Sequence, residues 1–165
     1  MKFAANPALS AAVSEQKLTS IMQELAEQSN THEMIGVLCV QIQHEQKLID
    51  TYGTSFRDIL FDHAACVVRA SVRFSDQVAA GENLQLIVFS RCCDDELMQD
   101  LANRLMQRIS TTPVLYNNSV IGIAAKVACC LVRGGNLQEI VIGARKTKEA
   151  ISSKKSTYSQ DPIIV

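Results

Sequence analysis

The chain has 165 residues, 47% of them apolar and 20% charged, with a formal net charge of -1 and a pI near 6.3. That length suits a single domain with a full core. The near-neutral balance gives no electrostatic footprint for nucleic acid or an anionic membrane surface. No apolar run approaches the roughly 20 residues that cross a bilayer. The N-terminal MKFAANPALS has one Lys and no continuous apolar stretch, so no signal peptide is expected. Cys39, Cys66, Cys92, Cys93, Cys129 and Cys130 lie mostly within apolar stretches, and no C-x-x-C occurs. They are expected to be buried thiols in a reducing cytosol, which places the protein in the cytoplasm.

Residues 8–28 put Leu18, Ile21, Met22 and Leu25 at i, i+3, i+4 and i+7, the spacing of an amphipathic helix. Pro7 suits its first turn, Asn6 its cap, and Ser29-Asn30-Thr31 its end. Met34–Ile42 is predicted as a central strand. After the polar Gln43 to Lys47 and the segment Leu48 to Gly53, a helix is expected from Ser55 to about Ala70. It carries Phe56, Ile59, Leu60, His63, Ala64 and Val67 on one face.

A β-hairpin follows, with strands near 72–80 and 84–91 joined by Ala80-Gly81-Glu82-Asn83, whose Gly and Asn tolerate positive φ. Cys92-Cys93-Asp94 begins the next helix. Asp94, Asp95 and Glu96 favour its N-terminal dipole, and Leu97, Leu101, Leu105 and Ile109 are expected on its buried face. Thr111-Thr112-Pro113 stops it, Val114-Leu115-Tyr116 is a short strand, and residues 120–132 are a second central strand. Gly134-Gly135-Asn136 turns the chain into a last helix, Leu137 to about Ser152, with Ile140, Val141, Ala144 and Lys148 facing inward. Ile163-Ile164-Val165 can add an edge strand.

The order is α, β, α, β, β, α, β, α. Its β-α-β-β-α-β core is the ferredoxin-like arrangement, an α/β (α+β) fold with a mostly antiparallel sheet and helices on one face, here with an extra helix at each end. One domain over residues 1–165 is expected, with its core at about 34–157 and an N-terminal helix and linker over 1–33.

Four segments, in this order, resemble the GGDEF domains that make cyclic di-GMP from two GTP molecules. Leu48-Ile49-Asp50-Thr51-Tyr52-Gly53 followed by Arg57-Asp58-Ile59-Leu60 is similar to the family's IND-x-YG…GD-x-x-L segment. Arg73-Phe74-Ser75-Asp76 resembles its RxxD inhibitory site. Glu82-Asn83-Leu84-Gln85-Leu86 stands where the GGDEF signature belongs, and Ala144 to Ser152 where the family has its AD-x-ALY-x-AK helix.

The departures carry the functional expectation. Cyclase chemistry needs two magnesium ions held by carboxylates. The family's DID at the end of the first strand is Gln41-Ile42-Gln43 here, and the signature Asp-Glu pair is Leu84-Gln85. A neutral amide cannot replace a carboxylate for a hard dication at comparable affinity, and Leu84 offers no ligand. The signature glycines are Glu82 and Asn83, the phosphate-binding Lys aligns with Ser152, and the guanine-contacting Asn aligns with Ile49. The resemblance therefore implies a degenerate GGDEF domain, not an enzyme, with no metal or cofactor.

It also implies a cyclic di-GMP receptor or adaptor in which Arg73 and Asp76 hold guanine bases and phosphates, with Arg69 assisting. Arg grips a guanine edge or phosphate bidentately, and Asp accepts from guanine N–H groups. A homodimer and a protein partner are expected from the same resemblance. The alternative is a nucleotide-independent interaction scaffold in a bacterial signalling or envelope machine, with Arg73 and Asp76 an ordinary ion pair.

The remaining candidates have simpler readings. Asp50 and Asp58 serve local caps and turns, and Tyr52 packs in the core. His63 is a boundary histidine, Asp94-Asp95-Glu96 a helix start, and Lys146, Lys148, Lys154 and Lys155 a solvated basic end.

Overall fold

The computed structural model describes residues 15–91, 93–153 and 161–165. In chain order its elements are α1 (Glu15–Gln28), β1 (Met34–Ile42), α2 (Glu45–Tyr52), α3 (Ser55–Ser71), β2 (Gln77–Ala80), β3 (Gln85–Ser90), α4 (Asp95–Ser110), β4 (Val114–Tyr116), β5 (Ser119–Ile121), β6 (Ala125–Arg133), α5 (Leu137–Ser152) and β7 (Ile163–Ile164). The main sheet runs β2-β3-β1-β6-β7. β1 pairs antiparallel with β3 and with β6, β2 antiparallel with β3, and β7 parallel with β6. The β1-α3-β2-β3-α4-β6 segment thus has the expected ferredoxin-like order.

β1 is apolar at nearly every position because both of its faces are covered. Its even residues Leu38, Val40 and Ile42 pack with Phe56, Leu60, Ala64 and Val68 of α3 and Leu101, Leu105 and Ile109 of α4. Its odd residues Ile35, Val37 and Cys39 pack with Leu18, Ile21 and Leu25 of α1 and Ile140, Ala144 and Ile151 of α5. The prediction of helices on one face holds for α3 and α4. The terminal helices cover the other face, because a sheet that is apolar on both sides must bury both. The predicted α1 residues 8–14, with Pro7 and Asn6, lie outside the described residues, as does Cys92.

Several local expectations are corrected. Residues 45–52 form α2, a short helix with no buried residue, which weak periodicity hid. β2 begins at Gln77, not Val72, because residues 73–76 are a turn. In the hairpin loop the positive φ values fall on Asn83 (51°) and Leu84 (60°), not on Gly81. Leucine is disfavoured there, since its Cβ crowds the backbone. Residues 120–132 are two strands, β5 and β6. Asn117 and Asn118, both at positive φ, make the tight turn of a β4–β5 hairpin. On α4, Leu97 is exposed and Met98 takes the buried place; on α5, Val141 is exposed while Gly143 and Thr147 are buried.

Cys39, Cys93, Cys129 and Cys130 are buried as expected, but Cys66 is exposed on α3. Burial pushes the Cys39 thiol from an ordinary 9.0 up to about 12, against a smaller opposite pull from Lys148. Burial, aided by neighbouring Cys130, Cys93 and Asp95, pushes Cys129 up to about 11. Below pH 9 both thiols are protonated in folded and unfolded chains alike. Above it the unfolded chain ionises first, so stability falls as pH rises. Urea unfolding under reducing conditions should show a loss between about pH 9 and 11 of up to about 1.4 kcal/mol per pH unit for each thiol. Cys39→Ala should have a shallower slope. An unchanged slope would rule out Cys39 as a source.

Candidate functional site

α3 ends at Ser71, Val72 is extended, and the chain turns over residues 73–76. The turn is closed by Asp76 N–H donating to the Arg73 carbonyl at 3.0 Å. Asp76 Oδ2 accepts from the Arg73 backbone N–H at 2.8 Å, a local side-chain bond that favours a turn over a strand. Arg69, in the last turn of α3, donates to the carbonyls of Asp76 (2.7 Å), Arg73 (3.2 Å) and Phe74 (3.1 Å). Its guanidinium is therefore committed to main chain and holds the turn.

Arg73 and Asp76 do meet. Arg73 Nη2 lies 3.3 Å from Asp76 Oδ1, with side-chain exposures of 52% and 1% respectively. Arg73 Nη2 also donates to Ser90 Oγ (2.7 Å) and the Arg91 carbonyl (2.9 Å). Asp76 Oδ1 has only the ion contact, with no aligned hydrogen bond among the described residues. In front of the pair lies a cavity of about 210 Å³, lined by Arg73, Asp76, Ser90 and by Leu97, Asp100, Leu101 and Arg104 of α4. Arg104 Nε donates to the Ser71 carbonyl at 3.0 Å, and its terminal nitrogens find no acceptor among the described residues. Sequence reasoning missed Ser90, Asp100 and Arg104. The i, i+4 spacing of Asp100 and Arg104 beside the Leu97–Leu101 stripe was the available signal.

A second constellation lies at the other end of β3, five residues or roughly 17 Å away. Gln41 stands opposite Gln85 on β3 and Lys126 on β6. Gln85 is buried; its Nε2 donates to Gln41 Oε1 at 3.3 Å and Ser152 Oγ at 3.4 Å. So Gln41, Gln85 and Ser152, which the family resemblance aligns with a metal, a signature and a phosphate position, form one neutral hydrogen-bonded cluster. Burial raises the pKa of nearby Glu45, opposed by the charge of Arg57 and a hydrogen bond from Gln41. Among the described residues, no group of three or more His, Cys, Asp or Glu could hold a metal ion.

The other candidates settle into local roles. His63 Nε2 is 2.7 Å from the Thr112 carbonyl at the α3–α4 boundary. Asp50 accepts from Gln46 within α2, Asp58 is in the first turn of α3, and Asp94 caps α4. Tyr52 is exposed rather than in the core, its ring 5.2 Å from Phe56. A larger cavity, about 360 Å³, lies between β6, α5 and Val165, and Lys146 is on its wall.

A four-stranded antiparallel core with one helix pair on each face defines an α/β fold of the nucleotide-cyclase type. The sequence matches the family described as "Diguanylate cyclase, GGDEF domain" over residues 14–156, and the chain belongs to that family. Similar solved structures share the fold at low identity. The GGDEF domain of PA1120 (TpbB or YfiN) from Pseudomonas aeruginosa is 14% identical with a TM-score of 0.79, covering 94% of this chain and 91% of that one. The coiled coil and GGDEF domain of DgcB from Caulobacter crescentus, solved with c-di-GMP, is 11% identical with a TM-score of 0.80, covering 96% and 84%. The diguanylate cyclase SiaD of Pseudomonas aeruginosa, solved with its activator SiaC, is 16% identical with a TM-score of 0.78; 95% of this chain is covered, but it spans only 59% of SiaD. No curated protein matches the sequence. No helix among the described residues is long and apolar enough to cross a membrane.

Proposed function

We propose that this chain is a GGDEF domain without cyclase activity that acts as a cyclic di-GMP receptor. The residues at the catalytic end do not fit a pair of magnesium ions. Gln41 and Gln85 are neutral and bonded to each other, and Leu84 has no donor atom.

The binding half of the reading is carried by the cavity beside the 73–76 turn. A buried carboxylate oxygen without a hydrogen bond is rare in folded proteins and calls for a partner. Asp76 Oδ1 is such an atom, and its residue lines a cavity together with Arg73 and Arg104. A guanine supplies the missing N–H donors and its phosphate an anion for the arginines. Arg69 serves as a positioning residue that fixes the turn. The cavity is smaller than the roughly 300–1,000 Å³ that enclose a whole small molecule, so it takes one base edge while the rest of the ligand lies across the surface.

The test is calorimetric titration with cyclic di-GMP of the intact chain and of Arg73→Ala. Micromolar or tighter binding that the substitution abolishes is the expected result. Binding that survives moves the site elsewhere. No heat and no thermal stabilisation at saturating ligand rules out the receptor. In parallel, magnesium-dependent turnover of GTP would overturn the loss of catalysis.

One observation favours a protein partner as a second reading. Leu115 and Val120 face each other across the β4–β5 hairpin and both are largely exposed. A paired apolar surface on a projecting hairpin fits a protein contact, either an adaptor's partner or a second copy of the domain.

A further inference from the structure

Phe74 is 98% exposed, the most exposed of the large apolar side chains among the described residues. Its backbone is not free to fold the ring away. The Arg73–Asp76 turn is closed internally, and Arg69 clamps the carbonyls of Arg73, Phe74 and Asp76. A clamped turn that holds a phenyl ring in water gives up the burial the ring would gain against apolar surface. Phe74 follows directly on Arg73, which lines a cavity together with Arg104 and Asp76. A flat apolar face beside fixed cationic groups matches one ligand chemistry, an aromatic base joined to a phosphate.

We propose that Phe74 is a stacking platform for a purine base of the ligand held at the Arg73 cavity. This rests on the receptor reading and deepens it. The cavity receives the polar edge of one base, and Phe74 covers the face of a purine that the cavity cannot enclose. The rigid turn pre-organises the ring, so little conformational freedom is lost when the base arrives.

The chain contains no tryptophan, so Phe74→Trp adds a single fluorophore at the proposed contact. Cyclic di-GMP should quench its emission with the same midpoint that calorimetry gives for the unsubstituted chain. Phe74→Ala should weaken binding about tenfold or more, in line with the loss of one base–aromatic stack. It should leave the melting temperature unchanged, because the ring touches solvent. If the unsubstituted chain binds but Phe74→Ala binds within twofold and the Phe74→Trp emission does not respond, the platform is wrong while the receptor stands. If the unsubstituted chain does not bind, the receptor reading itself fails and this proposal falls with it. If Phe74→Ala instead lowers self-association in sedimentation without altering ligand affinity, the ring is a protein contact and the proposal is overturned.

Discussion

Asp76→Ala should destabilise the protein by about 2 kcal/mol and eliminate cyclic di-GMP binding. The carboxylate is buried and does two jobs: Oδ2 accepts the Arg73 backbone N–H, and Oδ1 faces the Arg73 guanidinium. Alanine leaves that N–H without its acceptor, a loss of about 1–3 kcal/mol. The full 3–5 kcal/mol of a broken buried ion pair does not apply. Arg73 is half-exposed and keeps Ser90 and the Arg91 carbonyl, so its charge is not stranded. Asp76→Asn separates the two jobs. Its amide oxygen can still accept from Arg73 N–H, so most of the stability should return. The negative charge for the guanine N–H groups is gone, so binding should stay weak. Chemical denaturation gives the first quantity and calorimetry the second. If Asp76→Ala unfolds at the same denaturant midpoint as Ser75→Ala, the buried bond contributes nothing and the account of the turn fails.

The second large effect concerns the opposite end of β3. Restoring one signature carboxylate with Gln85→Glu should destabilise the protein at pH 7 by about 3–4 kcal/mol rather than revive an enzyme. Gln85 is buried between Gln41 and Ser152, neither of which is cationic. A glutamate there loses the amide donor to Gln41 and, among the described residues, has no cation in its hydrogen-bonded cluster. Glu45, bonded to the same Gln41, adds like charge when ionised. Lys126 stands two strands away in the same row.

A carboxyl so placed keeps its proton to pH 7 or above, against about 4.3 in the unfolded chain. Its folded pKa is raised. The penalty is therefore absent below about pH 4 and grows with pH by about 1.4 kcal/mol per unit until the folded group ionises. Denaturation of Gln85→Glu and the parent at pH 5, 6 and 7 measures this directly. A gap that does not widen with pH would mean that the site already accommodates a charge, and the neutral-cluster account would be lost. On the proposed loss of catalysis, the variant should show no magnesium-dependent GTP turnover, since Leu84 offers no side-chain ligand.

Much of the fold was legible in the sequence because its cues were local. β1 and α5 have the predicted bounds, since continuous β-branched runs and 3.6-residue periodicity identify strand and helix without knowledge of partners. The β4–β5 hairpin was less legible. Its Asn-Asn turn lies next to an apolar run long enough to pass for one strand. α2 has no fully buried residue, only Leu48 packing partly buried against the core, so it carries no full apolar stripe to read. Leu97 had the spacing of a core residue, but α4 is rotated on the sheet so that Met98 faces inward and Leu97 faces the Arg73 cavity.

The sequence by itself pointed to the family and to the β-α-β-β-α-β order of its core. The residue types at Gln41, Leu84 and Gln85 were likewise readable without any structure, and they motivate the proposed loss of catalysis. It also determined that Arg73 and Asp76 are three residues apart, as an RxxD pair requires. Only the tertiary structure decided how that pair is used. Asp76 is buried beneath Arg73, Arg69 is spent on the turn, and Arg104, 31 positions away from Arg73, lines the same cavity. Burial, and contact between residues distant in sequence, depend on how α3, α4 and β3 pack together, and local sequence pattern carries no record of that packing.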